Sequence, residues 1–421
     1  MSATDTQSPS APQRLNEIEG PPPRTSAPEQ TPEPPAGLIE GEPESPLARL
    51  THAQIEQLGR EFDAIHDEVF AELGDRDSRY IRSTIKLHRQ LVLAARAMLL
   101  GSRNKPLWLG GTAALSVAKI LENMEIGHNV MHGQWDWMND PDINSQSWDW
   151  DTASPADAWR HSHNYEHHTF TNIRGKDRDL GYEIMRIDPH QKWHPVYLAQ
   201  PFYNLLLMGF FEWGVAVHDI NFDAIQSGEK SKAQVIKELK AIGVKARRQI
   251  VKDYVAFPAL SALLSPRGSL KSSRRSFKST LAANFTANIV RNMWAYSIIF
   301  CGHFPDQTYT FSQAEVANET RGGWYVRQLL GSANIDGSPL FHLMAGNLSF
   351  QVEHHLYPDL PSSRYAEISP RVRDICHRYG LPYNTGPLSK QLGTVHRTIL
   401  RLAFPGGKVR PKPGPYRAER V

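Results

Sequence analysis

Cysteine is nearly absent: the 421 residues hold two, Cys301 and Cys376. A pair so far apart builds no disulfide framework, no cysteine zinc module and no iron–sulfur cluster carried on this chain. Such sparing use of cysteine fits a reducing compartment. An excess of one charge is missing too. The 47 Lys and Arg against 44 Asp and Glu leave a formal net charge of +3, which does not suggest a nucleic-acid binder. The opening, MSATDTQSPSAPQRLNE, has neither the basic start nor the apolar run of a secretory signal. No clean run of about 18 or more apolar residues occurs. With a mean hydropathy of −0.46, any membrane reading has to rest on local segments.

What is present falls into three parts. Residues 1–48 hold 11 of the 30 prolines with Ser, Thr and Glu, and almost no large apolar side chains. Such a segment cannot bury enough surface to offset its ordering entropy, so it is expected to be a disordered tail. Residues 404–421, FPGGKVRPKPGPYRAERV, form a basic, flexible tail, and 49–403 make the domain.

Inside the domain, LVLAARAMLL (91–100) and PLWLGGTAALSVAKILENMEIG (106–127) flank the turn GSRNK and read as a helical hairpin. Three further apolar stretches follow at 195–217, 254–265 and 281–302. Lys119 and Arg291 interrupt two of the segments, and polar residues in membrane helices usually face a protein interior or a site. Histidine clusters that share one site require an even number of crossings between them. The basic stretch 228–252 favours 254–265 with 281–302 as the second hairpin, whereas the greater hydrophobicity of 195–217 argues the other way. The sequence leaves that choice open.

The chemistry lies in the 18 histidines, and their clustering says more than their number. His128-Asn-Val-Met-His132 and His163-Asn-Tyr-Glu-His167 place imidazoles four residues apart, on one helical face. In Gln351-Val-Glu-His354-His355, Gln351 and His355 are one turn apart. Adjacent pairs, His167-His168 and His354-His355, point about 100° apart on a helix and so suit two neighbouring ions better than one. Seven histidines from these clusters, with His303 as a plausible eighth, exceed the roughly six ligands of a single first-row ion, which implies two metals. Imidazole suits iron, copper, nickel and zinc alike. The Glu-x-x-His pattern of soluble di-iron bundles is not evident.

The words HNVMH, HNYEHH and QVEHH, in this order and at these separations, resemble the three histidine boxes of the membrane fatty-acid desaturases. HHTFTNIRGKDRD is similar to the second box with its downstream acidic pair, Asp177 and Asp179, and GNLSFQVEHHLYPDLP to the third. The resemblance runs from about Leu50 to Ala403. It implies an all-α fold with about four transmembrane spans and a cytosolic helical cap carrying a histidine-rich di-iron site. It also implies a multi-pass protein of the plasma (inner) membrane whose site faces the cytoplasm. The ligands it implies are His128, His132, His163, His167, His168, His303, His354 and His355. Gln351 stands where the third box usually begins with histidine, as in the linoleoyl-type and front-end branch. Gln351, Asn347 and His161 are candidates for ligation or for orienting a ligand, while His218, His342 and His377 are read as ordinary structural histidines.

The implied reaction uses O2 and two electrons to place a cis double bond in a long-chain acyl-CoA. The words ENMEIGHNVMHGQWDWMNDP and FCGHFPD point to the branch acting on stearoyl-CoA at position 9. No His-Pro-Gly-Gly haem motif of a fused cytochrome b5 is found, so electrons are expected from NADPH through a separate flavin/iron–sulfur reductase. Rival readings are an acyl or alkyl hydroxylase of the same superfamily, a linoleoyl-type (delta-6) desaturase, a membrane zinc hydrolase and a metal-storing membrane protein. The tryptophans of WDW at 135–137 and 148–150 suit an acyl tunnel, a membrane interface or a packed core equally.

Overall fold

The computed structural model describes residues 45–265, 269–406 and 411–417. The tail expected over 1–48 therefore lies outside the described residues except for its end, where Ser45 caps a short 3-10 turn, Pro46–Arg49. The fold is helical, and its only named sheet among the described residues is a two-stranded parallel one, Asn334–Asp336 with Thr385–Pro387.

Four long helices make a bundle. The first, α1 (Asp75–Leu100), turns at Gly101 into α2 (Lys105–Leu121), whose start is capped by the Asn104 side chain. α2 runs on through a π-helical stretch, Glu122–His128, to Met131. The third, α3 (Lys232–Ile250), opens on a capping box from Ser231 and Gln234 and continues through a second π-helical stretch to Leu263. The fourth, α4 (Leu270–His303), runs for 34 residues, about 50 Å at 1.5 Å per residue. α2 and α4 both start at one end of the bundle and finish among the histidines at the other. The seam between α1, α2 and α4 is built of Ala95, Leu99, Leu115, Ala283 and Ala287, small enough for close backbone approach.

The charges that interrupted the apolar segments point inward. Lys119 is buried with its Nζ 2.8 Å from Asp253 Oδ2, while Arg96 donates to Asp253 Oδ1 (2.6 Å) and Asn284 Oδ1 (2.7 Å). Arg291 pairs with Glu212 and donates to the Asp151 carbonyl. Breaking one partner of such a buried pair strands the other without water.

The stretch 195–217 forms no continuous helix. It breaks at Phe210, between Gln200–Gly209 and Phe211–His218, and lies against α4. The hairpin that packs beside α1–α2 is instead made by the C-terminal part of α3 with α4. Among the described residues no helix is long and apolar enough to cross a membrane. α2 spans only 17 residues, and the apolar half of α4 carries Arg291 together with Asn284, Asn288 and Asn292.

A second, aromatic core holds the cap. His52–Ala71 packs against Arg321–Gly331 and Tyr365–Tyr379 through Phe62, Trp324, Tyr325, Tyr357 and Tyr365. Its tightest point is Gly322, where an added Cβ would lie 2.0 Å from the carbonyl oxygen of Ile55. Residues 411–417 lie on this cap, with the Tyr416 amide donating to the Leu381 carbonyl. Gly322→Ala should therefore force the two helices apart and cost about 1–3 kcal/mol, read as a lowered thermal unfolding midpoint.

Candidate metal centre

Each box arrives on a different element. His128 ends the π-helical stretch after α2, His163 and His167 lie in a third such stretch, Arg160–His167, and His354 and His355 lie on Gln351–Leu356. π-helical turns are rare and concentrate at functional sites. Here the wider turn brings His163, His167 and His168 closer to one face than regular α-helical spacing allows. His303 is the last residue of α4.

These histidines meet in two groups. Ring nitrogens of His128, His132, His163 and His354 lie within 4.8 Å of one another, and so do those of His167, His303 and His355. The adjacent pair His354-His355 is divided between them. His168 sits between the groups, with its ring centroid 4.7 Å from His132, 4.8 Å from His354 and 4.4 Å from His355. All eight are therefore in one place, although they span residues 128 to 355 of the chain.

On five of the rings the outward-facing nitrogen is tied down. His167 Nδ1 lies 3.0 Å from Asp177 Oδ1, and His163 Nδ1 lies 3.3 Å from Asp179 Oδ2. His128 Nδ1 meets Asn129 Oδ1 (2.9 Å), His354 Nδ1 the Tyr365 hydroxyl (3.2 Å) and His355 Nδ1 Gln328 Oε1 (2.9 Å). Such partners fix the ring orientation and hold the proton on Nδ1, leaving the Nε2 lone pair facing inward.

Those inner nitrogens are the test of whether a metal fits. Nε2 of His128, His132, His163, His167, His168 and His354 is buried without a hydrogen-bond partner. On the other side His303 Nε2 lies 3.2 Å from His355 Nε2 and 3.0 Å from Gln351 Nε2. Orphaned buried acceptors cost free energy unless something satisfies them, and converging imidazoles are a natural donor set for divalent transition metals. The residues fit two such ions.

Electrostatics favours neutral, ligating rings. Burial, with the neighbouring imidazole of His163, pushes His128 down to about 3. Burial and adjacent imidazoles hold His132, His168, His354 and His355 well below the ordinary histidine value. His163 is lowered by burial against the pull of Asp179. His167 goes the other way: burial opposes its charge, but the Asp177 carboxylate outweighs burial and raises it.

The remaining candidates separate. Gln351 belongs to the site, since Gly302 leaves it room: an added Cβ there would lie 2.8 Å from Gln351 Cγ. Asn347 donates to Glu125 Oε2 (2.9 Å), away from both histidine groups. His161 is exposed and pairs with Glu166 at 3.5 Å. Trp135 is core, stacked on Tyr80, whereas Trp150 lines a cavity that opens on His128 and His163. Gln328 and Tyr365 gave no signal in the sequence, because one hydrogen bond to a ring 27 or 11 residues away leaves no local pattern.

The chain is a fatty acid desaturase: the family model of that description matches residues 106–387. Among its relatives, the NADPH-dependent stearoyl-CoA 9-desaturase of Mycobacterium tuberculosis is 47% identical over 359 residues, 85% of this chain and 82% of that protein. The sn-1 linoleoyl-lipid 6-desaturase of Synechocystis is 25% identical over 336 residues, 77% of this chain and 89% of the relative.

Removing a partner of a ligand should be felt at the metal. Asp177→Ala is expected to weaken metal binding about 10–100-fold, measured by equilibrium titration of the metal-free protein.

Proposed function

We propose that this chain is an oxygen-dependent desaturase that places a cis double bond in a long-chain acyl-CoA, with stearoyl-CoA converted at position 9. The observation that carries this reading is the cavity opening on His128 and His163, walled by Met124, Trp150, Phe211, Val215 and Ile299. A cavity with mainly apolar walls that ends at converging imidazoles suits a saturated methylene, which offers no polar handle, although Glu212 and Asp219 line it too.

A second cavity supports the choice of carrier. It shares Trp150 and Thr152 with the first and is lined by Arg89, Lys245, Arg248 and Lys252, cations suited to the phosphates of a CoA head, three of which are paired with Asp149 or Asp151 of the same lining. A chain held by its head at this mouth passes Trp150 on its way to the site.

The overall reaction takes a –CH2–CH2– unit, O2, two electrons and two protons to –CH=CH– and two waters. Two iron ions held by His128, His132, His163 and His354 and by His167, His303 and His355, with His168 between, would supply oxygen activation and removal of the unactivated hydrogens. Gln351 is placed to ligate weakly or to orient His303. The protein's own part is placement and exclusion of water. The walls hold one C–C bond beside the histidines, and burial disfavours charge on the imidazoles, with Asp177 drawing His167 the other way. The carboxylates of Asp177 and Asp179 keep the rings aimed inward. Electrons come from NADPH through a separate flavin/iron–sulfur reductase, because two distant cysteines supply no cluster.

In this reading residues 49–403 are the desaturase domain, and the bundle is a multi-pass anchor in the inner membrane with the site facing the cytoplasm. Its support is the exposed apolar surface away from the histidines: Leu93, Leu107, Leu109, Leu263 and Phe285 on the bundle. Phe202, Leu205 and Phe210 on the broken 195–217 segment extend it.

Expressed with a reductase in a host lacking unsaturated fatty acids, the protein should yield a C18 product with a new cis double bond at position 9, located by mass spectrometry. His168→Ala should abolish that product. Oxygen retained in the product would replace this reading with hydroxylation, and a single zinc without iron would replace it with hydrolysis.

A further inference from the structure

We infer that His218 is a positioning residue: through Asp179 it ties the wall of the acyl cavity to the metal ligand His163. The inference rests on the di-metal reading above.

The Asp179 carboxylate is shared. One oxygen, Oδ1, lies 3.0 Å from His218 Nε2, and the other, Oδ2, lies 3.3 Å from His163 Nδ1. Held by one partner alone, a carboxylate on a short loop can turn about its own side-chain bonds. Held at both oxygens, it is fixed, and so is the plane of the His163 ring it faces. Trp159 completes the clamp, stacked on that ring at 4.6 Å between centroids.

His218 is itself well held. It is buried, its ring meets Tyr182 edge-on at 5.3 Å, and its carbonyl accepts from Arg178 Nη2 at 2.5 Å. Arg178 is anchored in turn on Glu166 and Glu183. The second ring nitrogen of His218, Nδ1, lies 3.6 Å from Glu183 Oε2.

What makes this more than a structural contact is the helix that carries it. His218 ends Phe211–His218, the second half of the broken apolar segment, and Phe211, Val215 and His218 of that one helix line the cavity opening on His163. A chain entering the cavity presses on the helix whose last residue fixes the carboxylate behind the ligand. The same two hydrogen bonds thus set ligand geometry and make it responsive to occupancy of the cavity.

The test is Co2+ binding to the metal-free full-length protein, followed by its visible spectrum, in the natural chain and in His218→Ala and His218→Gln. The natural chain should take up two equivalents. In His218→Ala one of them should weaken about 10-fold or more while the other stays unchanged. His218→Gln, which keeps an N–H donor at similar reach, should recover most of the loss. Two equivalents binding to His218→Ala as tightly as to the natural chain would overturn the inference and leave the di-metal reading standing. So would loss of both equivalents together, which reports collapse of the helix. A natural chain that binds no second equivalent would overturn the inference together with the reading on which it rests.

Discussion

Everything at this site depends on keeping a crowd of imidazoles neutral, dry and aimed inward. Burial supplies the first two: removing water disfavours the imidazolium, and each ring disfavours charge on its neighbours. Aim requires something else, which five of the eight rings have: a partner on the outer nitrogen. Asp177 and Asp179 serve two rings, and Asn129, Tyr365 and Gln328 serve three more. Without them the rings would be free to rotate, and the lone pairs would lose their common focus.

The rest of the fold can be understood as a means of paying out chain so that these rings meet. α2 and α4 are long because they must carry His128 and His303 from the far end of the bundle to the cap. The π-helical stretches at both box helices widen the turn where the rings must converge. The aromatic core of the cap then presses the third box onto the other two, since Tyr365 packs in that core and meets His354. Stability and function share side chains here, which is why close-packed points such as Gly322 and Gly302 tolerate no extra atoms.

The buried ionic groups of the bundle explain a tension between composition and architecture. Arg96, Lys119 and Arg291 are compensated by Asp253, Asp151 and Glu212 inside the helix seams. Hydropathy counts them against the helices that carry them; their pairing buries them in the seams and leaves Leu93, Leu107 and Phe285 exposed. The 195–217 segment likewise folds without a continuous helix, as two short helices broken at Phe210, of which the second lines the cavity through Phe211 and Val215 while Phe202, Leu205 and Phe210 are exposed.

The three histidine words, with His303, and the helical class were legible in the sequence because ligation needs particular side chains at particular spacings. Local spacing also foretold that His354 and His355 would part company. What it could not settle was anything set by contacts between distant segments. The division of the rings into two groups, the seat of His168 between them, the departure of Asn347 to Glu125 and the fate of 195–217 all depend on which elements pack together. So does the role of His218, which as an isolated histidine looked ordinary and which only packing set against Asp179. Sequence fixes which atoms are available for coordination and roughly how far apart they lie along a helix; tertiary structure alone decides which nitrogens face one another, because that distance runs through space and not along the chain.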